Sequence, residues 1–275
     1  MNRARFPGKL GLTFFFIRLL GRDFYQGRCA VCCWPTFCRF RHPVSRYATT
    51  DLHGCLHTFR HLVEEKLRLT ADDELYVLGD YVNKGPDSRG VLDYLMHLQA
   101  AGYRVRCLRG NHDQALLDGA RPSWRRDWLG PRGRQPTLRS FGVGRLADIP
   151  AHYLDWLAAL PFEIELPDFV LVHAGYNFAL PPEQMRQDHA AMLNTKQFVY
   201  DPGRLGGRRL LHGHVPTPAA TVRARAATRP GALGLDTGCV YRHNPELGRL
   251  AALNLDTWEL TLVPNREPAY AIGKR

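Results

Sequence analysis

The sequence predicts an α/β protein in which two β-sheets pack face to face and helices flank them. From Arg46 onward, short apolar runs alternate with amphipathic helical patterns, which is typical of a βαβαβ order. The C-terminal part instead predicts strands joined by turns, with little helix. A length of 275 residues fits one large α/β domain or two small ones, and an apolar share of 45% allows a sizeable core.

The individual elements follow from local patterns. Residues 57–69 predict an amphipathic helix because apolar residues recur on or near one face. A helix is also predicted over 86–102, with Pro86 at its first position and Gly102 at its end. Residues 120–149, rich in Gly, Pro and Arg, predict a loop-rich insertion with one short helix. The remaining predictions are helices at 151–160 and 181–193 and strands at 46–50, 74–79, 103–110, 162–166, 169–175, 208–214, 221–227, 231–238, 248–256 and 258–263.

Three segments are predicted: a leader (residues 1–45), a working domain (residues 46–263) and a tail (residues 264–275). The leader differs sharply in composition from the rest, so we expect it to be disordered or not part of the domain. The tail is expected to be loose. An apolar stretch at 12–20 is too short to span a bilayer and is interrupted by Arg18, so no membrane partner is predicted.

Cysteine use is uneven along the chain. Four of the seven cysteines cluster in the leader, at Cys29, Cys32, Cys33 and Cys38, with His42 nearby. Zinc binding there is disfavoured because no second C-x-x-C pair follows at a useful distance. The other three are scattered, as in a reduced cytosolic protein, so a cytoplasmic location is predicted.

The net charge of +11 does not predict nucleic-acid binding once its distribution is considered. Residues 1–46 hold nine Lys or Arg and one acid, Asp23, so they carry +8 and the rest of the chain carries +3. The body lacks interleaved aromatic and basic residues and suits an anionic substrate better. No nucleic-acid partner is therefore predicted; the opposite hypothesis requires strong, salt-dependent DNA binding that survives removal of residues 1–45.

Polar residues of metal-ligating types follow five of the predicted strands. Ligands of open α/β sheets bind beyond the carboxyl ends of strands, so these residues are expected to meet. The Asp51-x-His53 spacing also places two side chains on one side of an extended chain. Carboxylate, amide and imidazole ligands together suit Mn, Fe or Zn better than Ca or Mg. The residues are Asp51, His53, Asp80, Asn111, His112, His173 and His214.

Short blocks around these residues resemble, in order, the signature blocks of calcineurin-like metallophosphoesterases. The closest branch is the phosphoprotein-phosphatase type, in its bacterial serine/threonine phosphatase and symmetrical diadenosine-tetraphosphatase members. The resemblance covers roughly Arg46 to Val263 and leaves out the first 45 residues. The blocks are TDLHG (50–54), GDYVNKGPDS (79–88), RGNHD (109–113), LVHAG (171–175) and HGHVPT (212–217), and PTLRSFG (136–142) and LDTGCVY (235–241) are also similar.

The resemblance implies a four-layer αββα fold that holds two divalent metal ions, with Mn expected first and Fe or Zn as alternatives. A metal-bridging hydroxide would attack the phosphoryl group, and His112 would protonate the leaving group. His212, where the family is usually apolar, is expected to be structural or to support a ligand. The implied metal ligands are Asp51 and His53 for the first ion, Asp80 for both, and Asn111, His173 and His214 for the second.

Three substitutions separate this chain from the family pattern. Asn83 stands where the family has an Asp that pairs with the proton donor, so it is expected to orient His112 without a full charge. Lys84 and Lys196 stand where the family has phosphate-gripping arginines. Together with Asn111, the two lysines are expected to bind the substrate phosphate.

The predicted function is a dinuclear-metal phosphoester hydrolase of the serine/threonine protein phosphatase type. Its predicted substrate is a phosphorylated protein, a phosphopeptide or a small phosphoester. The alternative in the same class is a symmetrical diadenosine-tetraphosphate hydrolase. A lower-ranked alternative is a catalytically weak pseudo-enzyme that binds phosphorylated ligands, for which Asn83 is the only support. The oligomeric state is not predicted.

Overall fold

The computed structural model describes residues 15–19, 22–26, 44–121 and 130–271. The chain divides into two compact units, Met1–Val44 and Ser45–Arg275. The working domain predicted from residue 46 to residue 263 stays a prediction. Within the described part of the chain, no helix is long and apolar enough to cross a membrane.

The described residues of the first unit form an antiparallel hairpin. Strand β1 (Phe15–Leu19) pairs with strand β2 (Arg22–Gln26). Both strands belong to the predicted leader, whose exclusion from the working domain stays a prediction. The clustered leader cysteines and His42 lie outside the described residues, so the prediction against a zinc site there stays a prediction.

The second unit contains two mixed sheets. The five-stranded sheet has the order β11-β10-β3-β4-β5, and the four-stranded sheet has the order β6-β7-β8-β9. Strands β3, β4 and β5 run parallel, as do β7, β8 and β9. The strands are β3 (Arg46–Thr49), β4 (Glu74–Val77), β5 (Arg104–Cys107), β6 (Glu163–Glu165), β7 (Phe169–Val172), β8 (Arg209–His212), β9 (Ala232–Gly234), β10 (Arg249–Asn254) and β11 (Leu260–Pro264).

Eight α-helices are described in the second unit. The first continues as a π-helical turn at His61–Lys66, and short 3-10 turns occur at Leu146–Asp148 and Pro202–Leu205. The helices are α1 (Leu56–Arg60), α2 (Ser88–Ala100), α3 (Asn111–Ala120), α4 (Gly130–Phe141), α5 (Ala151–Ala159), α6 (Pro182–Gln187), α7 (His189–Asn194) and α8 (Ala219–Ala227).

Three buried apolar clusters define the order of the layers. Alternate residues of the five-stranded sheet face opposite sides, so Leu75 packs with Leu92 of α2 while Tyr76 packs with Phe169 of the other sheet. On the far side of the four-stranded sheet, Val170 packs with Met185 of α6. The order is therefore helices, sheet, sheet, helices, which confirms the predicted four-layer αββα architecture.

The strand predicted at 221–227 is wrong, because these residues form most of helix α8. Apolar and polar residues alternate in this segment, which indicated a strand. Ala and Arg are nevertheless strong helix formers. Buried Ala219, Val222 and Ala226 lie three and four residues apart, which places them on one helical face.

Further boundaries differ from the predictions. The helix predicted over 181–193 is split into α6 and α7, because the Asp188 side chain caps the second helix by accepting from the Ala191 N–H. Pro86 lies outside α2, whose N-cap is Asp87. The insertion contains the 12-residue helix α4, longer than expected.

The tail that was expected to be loose is packed over its described residues. Glu267 is 5% exposed, and its Oε1 accepts from the backbone N–H and the hydroxyl of Thr58. The Tyr270 hydroxyl donates to the Val240 carbonyl. These contacts tie Glu267 to α1 and Tyr270 to the segment between β9 and β10.

Candidate metal centre

The carboxyl ends of five parallel strands deliver the candidate site residues. Asp51 and His53 follow β3, Asp80 follows β4, and Asn111 begins the helix after β5. From the second sheet, His173 follows β7 and His214 follows β8. The structure thus brings all six predicted metal ligands together at one edge of the sandwich, as the strand-end argument predicted.

The loops after β3 and β4 run side by side and are held by backbone hydrogen bonds. The Asp51 N–H donates to the Gly79 carbonyl at 3.1 Å, and the His53 N–H donates to the Asp80 carbonyl at 2.8 Å. Nine described non-glycine residues have a positive φ, and six of them belong to the site. The left-handed backbone conformation costs each of these residues on the order of 1 kcal/mol. Backbone strain is therefore concentrated in the loops that orient the side chains of the site. The six are Asp51, His53, Asp80, Asn83, Lys84 and His214.

Two glycines allow the loops to approach the carboxylates closely. A Cβ atom at Gly110 would collide with Oδ1 of Asp80, and one at Gly213 would collide with Oδ2 of Asp51. Any larger residue would push away a predicted ligand. Both positions therefore require glycine for steric reasons.

One group of donor atoms lies around the Asn111 amide. The Nδ1–H of His173 donates to the Leu78 carbonyl at 2.8 Å, which leaves a lone pair on its Nε2. That Nε2 lies 3.0 Å from Oδ1 of Asn111 and 3.6 Å from Oδ1 of Asp80. Nδ1 of His214 faces the same Asn111 oxygen at 3.1 Å. An amide oxygen, a carboxylate oxygen and two imidazole nitrogens this close together fit a bound cation, and the donor set fits a borderline divalent metal.

A second group lies around Nε2 of His53. Its Nδ1–H donates to the Val82 carbonyl at 3.0 Å, so Nε2 again carries a lone pair. This atom lies 3.4 Å from Oδ2 of Asp80 and 3.9 Å from Oδ1 of Asp51. Asp80 therefore offers one oxygen to each group, which is the arrangement that the predicted bridging role requires.

The site is electrostatically prepared for cations. Burial raises the pKa of Asp80, and the negative charge of Asp51 raises it further. Burial and the positive charge of Lys84 lower the pKa of His53 to about 3, and burial and His173 lower that of His214 to about 4. The imidazoles of His53 and His214 are consequently neutral near pH 7, the form in which histidine binds a metal.

His112 lies beside both donor groups. A ring nitrogen of His112 lies within 4.8 Å of ligand atoms of His53 and Asp80, so His112 is placed either to assist a ligand or to reach a substrate. Its ring contacts that of His53 edge to face, with centroids 4.8 Å apart. Its backbone N–H donates to Oδ1 of Asp80 at 2.9 Å. Its predicted proton-donor role stays a prediction.

Asn83 contacts His112 as predicted, and the structure adds the residue that orients it. The Thr137 hydroxyl, on α4, donates to Oδ1 of Asn83 at 2.8 Å. This turns the amide N–H₂ toward Nδ1 of His112, 3.3 Å away. An amide that donates there makes Nδ1 an acceptor and favours the tautomer with hydrogen on Nε2.

The two lysines lie in different environments. Nζ of Lys84 lies 2.7 Å from Nε2 of His53 and 5.7 Å above the ring of Tyr241, so it contacts a predicted metal ligand. Lys196 is exposed, and its charge contributes to lowering the pKa of His214. Both ammonium groups thus lie near the donor groups, and their phosphate-binding role stays a prediction.

The sequence reasoning missed two residues that hold the site. The buried carboxylate of Asp113 accepts from the backbone N–H groups of Asp80, Tyr81 and Gly110 at 2.9–3.0 Å. Burial and the charge of Asp80 raise the pKa of Asp113 to about 7. Thr137 is the other. Both occur in blocks that resemble the family, RGNHD and PTLRSFG, which was the available signal.

A two-sheet sandwich with clustered metal-type ligands at its strand ends defines a broad class of metal-binding α/β proteins. Within that class, residues 46–258 match the family model described as calcineurin-like phosphoesterase. The chain belongs to the calcineurin-like phosphoesterase family, which confirms the resemblance found in the sequence.

Relatives and solved structures agree with this assignment. A protein of Chromohalobacter salexigens named bis(5'-nucleosyl)-tetraphosphatase, symmetrical, is 37% identical over 155 residues, 54% of this chain and 50% of that protein. A crystal structure of a candidate diadenosine tetraphosphatase gives a TM-score of 0.57 at 24% identity and covers 82% of this chain and 95% of that one. A serine/threonine phosphatase from Saccharomyces cerevisiae gives 0.58 at 12% identity and covers 83% and 82%. The structural likenesses show the shared fold.

The chain spans about half the length of the curated relatives it matches, between 43% and 59% for three of them. Their names describe activity toward bis(5'-nucleosyl) tetraphosphates.

Proposed function

We propose that this protein is a metal-dependent phosphoester hydrolase. The observation that supports this most is the shared position of Asp80, whose two oxygens face two separate groups of lone-pair donors. Two ions held in this way would supply Lewis acidity and an activated water for attack on a phosphoryl group. Manganese is the first expected metal, with iron or zinc as alternatives.

The predicted ligands would divide between the two ions. Asp51, His53 and Asp80 would hold the first; Asp80, Asn111, His173 and His214 would hold the second. The fixed tautomers of His53 and His173 support this division, because the Val82 and Leu78 carbonyls orient both rings before any ion binds.

The remaining side chains act on the substrate. In the tautomer favoured by Asn83, His112 presents an N–H from Nε2, which suits hydrogen bonding to the leaving oxygen. Lys84, Lys196 and the Asn111 amide would neutralise and bind the non-bridging phosphoryl oxygens. A neutral histidine is a weaker acid than an imidazolium, so activated esters should be better substrates than alkyl esters.

Dinucleoside tetraphosphates are the substrate class that the names of the relatives favour. Phosphoserine and phosphothreonine peptides, the first prediction from the sequence, are the second candidate because the signature blocks are common to both branches. Turnover of diadenosine tetraphosphate and of a phosphopeptide by the same preparation separates them. We place the activity in the cytoplasm, on the support of the three free and buried cysteines Cys55, Cys107 and Cys239.

Substitution of the shared ligand tests the reaction class. Asp80→Asn should abolish Mn²⁺-dependent phosphate release from 4-nitrophenyl phosphate, with a loss of about 100-fold or more, because an amide cannot bridge two cations. Asp148→Asn is the matched control: this residue forms only an exposed ion pair with Arg145 and should leave the rate unchanged. Equal rates in Asp80→Asn and the wild type would exclude the proposed site, and absence of turnover in the wild type on all substrates would favour the pseudo-enzyme.

A further inference from the structure

The ammonium group of Lys84 lies at the atom through which His53 would bind the first ion. Nζ of Lys84 is 2.7 Å from Nε2 of His53, a short hydrogen bond. Nζ also lies 5.7 Å from the centroid of the Tyr241 ring, and its charge acts on the carboxylates of Asp80 and Asp236. Lys84 is only partly buried and is held in a left-handed conformation, with φ at 66°.

His53 can accept only one partner at this atom. Its Nδ1–H is committed to the Val82 carbonyl, so Nε2 carries a single lone pair in the plane of the ring. The lone pair either accepts an N–H from Lys84 or binds a metal at about 2.0–2.1 Å. An ammonium 2.7 Å from the same atom excludes the ion sterically and by charge.

The other donor group is not obstructed in this way. The Asn111 oxygen lies 3.0 Å from Nε2 of His173 and 3.1 Å from Nδ1 of His214, and Lys84 forms no hydrogen bond with these three among the described residues. The two groups should therefore differ in affinity for metal, although Asp80 serves both.

A phosphate group is the natural alternative partner for Lys84. The lysine follows the site's bridging carboxylate by four residues, and its flexible stem allows Nζ to move without a change in the backbone. An anion placed between the donor groups would attract the ammonium more strongly than a neutral imidazole does. Departure of Lys84 would then release the lone pair of His53.

We propose that Lys84 occupies the first-ion position and gives it up when a phosphoryl group binds, so that substrate and first ion bind cooperatively. This rests on the proposed function, since it uses the same metal-site residues. The group around Asn111, His173 and His214 binds its ion before the His53 position does. The site then holds two ions only when an anion draws Lys84 away from His53.

Titration of the metal-free protein with Mn²⁺ tests the proposal. Binding is measured by calorimetry and by the EPR signal of coupled manganese pairs. The wild type should bind one Mn²⁺ tightly at the group around Asn111 and another at least tenfold more weakly at the His53 position. Inorganic phosphate should increase the affinity of the weaker position. Lys84→Met keeps the aliphatic stem and removes the charge. Without phosphate, it should increase the Mn²⁺ affinity of the His53 position about 10- to 100-fold, as expected for a lost hydrogen bond from a charged group. Lys84→Ala provides the same comparison if methionine disturbs the loop.

Lys196→Met is the matched control, because it removes a positive charge near the site without releasing His53. Without phosphate it should leave the weaker affinity within about threefold of the wild type. Two equal affinities in the wild type, unchanged by Lys84→Met and Lys84→Ala, would overturn the proposal and leave the proposed function intact. Absence of Mn²⁺ binding in all proteins would overturn the proposed function itself.

Discussion

Replacement of Asn83 by aspartate tests whether the partner of His112 limits the rate. In the variant, a carboxylate would lie about where the Asn83 amide nitrogen now lies, 3.3 Å from Nδ1 of His112. Thr137 could still donate to the other oxygen, as it does to Oδ1 of Asn83 at 2.8 Å. A carboxylate requires a hydrogen on Nδ1 and therefore stabilises the imidazolium, the stronger acid.

The magnitude follows from the distance and the burial. Two unit charges about 4 Å apart attract by about 4 kcal/mol at an effective dielectric constant of 20. Burial of the new carboxylate offsets part of this, because Asn83 is 1% exposed and His112 is 4% exposed. A net gain of about 1.5–3 kcal/mol, typical of a hydrogen bond with a charged group, corresponds to roughly 10- to 100-fold in rate.

The assay compares leaving groups. The kcat/KM for an alkyl phosphate should rise about 10- to 100-fold in Asn83→Asp, whereas that for 4-nitrophenyl phosphate, whose leaving group needs little protonation, should change less than about threefold. Asn244→Asp, an exposed turn position, makes the same chemical change away from the site and should alter neither rate. An unchanged alkyl-phosphate rate, or equal gains on both substrates, would refute the reasoning. Thr137→Val should shift the same ratio in the wild type, because it removes the hydroxyl that orients the amide.

Two stability predictions follow from the partly buried side chains of His212 and Arg46. Burial lowers the pKa of His212 to about 4, so its neutral form contributes stability above pH 6.5 that is lost as the pH falls toward 4. The wild type should therefore lose free energy of unfolding between pH 7 and pH 4.5, measured by urea denaturation of the metal-free protein. In His212→Leu this loss should be smaller by about 2–3 kcal/mol. A variant that loses as much free energy of unfolding as the wild type over this pH range, or more, would contradict the burial argument. The Arg46 guanidinium binds Asp168 and Asp256 at 2.8–2.9 Å, so Arg46→Met should cost about 1–2 kcal/mol in the free energy of unfolding, whereas Arg145→Met, 78% exposed, should cost less than about 0.5. Equal costs would show that the Arg46 contacts contribute no more than a surface pair.

The positions of the candidate ligands could be predicted because parallel strands impose them. Asp51, Asp80 and His173 each follow an apolar run, and a strand needs only four or five such residues to be recognised. Once the runs are parallel and adjacent, their carboxyl ends meet whatever the loops contain. This is a property of topology, so the six predicted ligands converge even though no single one of them was a strong signal.

Helix α8 could not be recognised from alternation alone. Over seven residues, a spacing of two and a spacing of four share positions, so Val222 and Ala226 fit either a strand or a helix. Helix propensity would have identified this segment as a helix, since five of the seven residues at 221–227 are Ala or Arg. The same limit applies to α4, where Pro136 lies inside a helix that tertiary packing of Leu138 and Phe141 stabilises.

Side-chain partners that come from distant segments carry no local signal at all. Thr137 lies 54 positions from Asn83, and Lys84 lies 31 positions from His53. A sequence motif fixes which groups are near the site but not which atom each one contacts. The lysine expected to bind phosphate therefore had to be located in the structure before its contact with a metal-ligand atom could be recognised.

Two of the three departures from the family pattern, Asn83 and Lys84, act on one pair of rings. Asn83 and Lys84 are consecutive and both left-handed, with φ at 69° and 66°, and they reach His112 and His53, whose rings touch. Where the family has Asp and Arg, the charges of the two side chains cancel; here an amide and an ammonium leave a net positive charge beside His53. Because the two side chains reach rings that touch, changes at the two positions should not be additive.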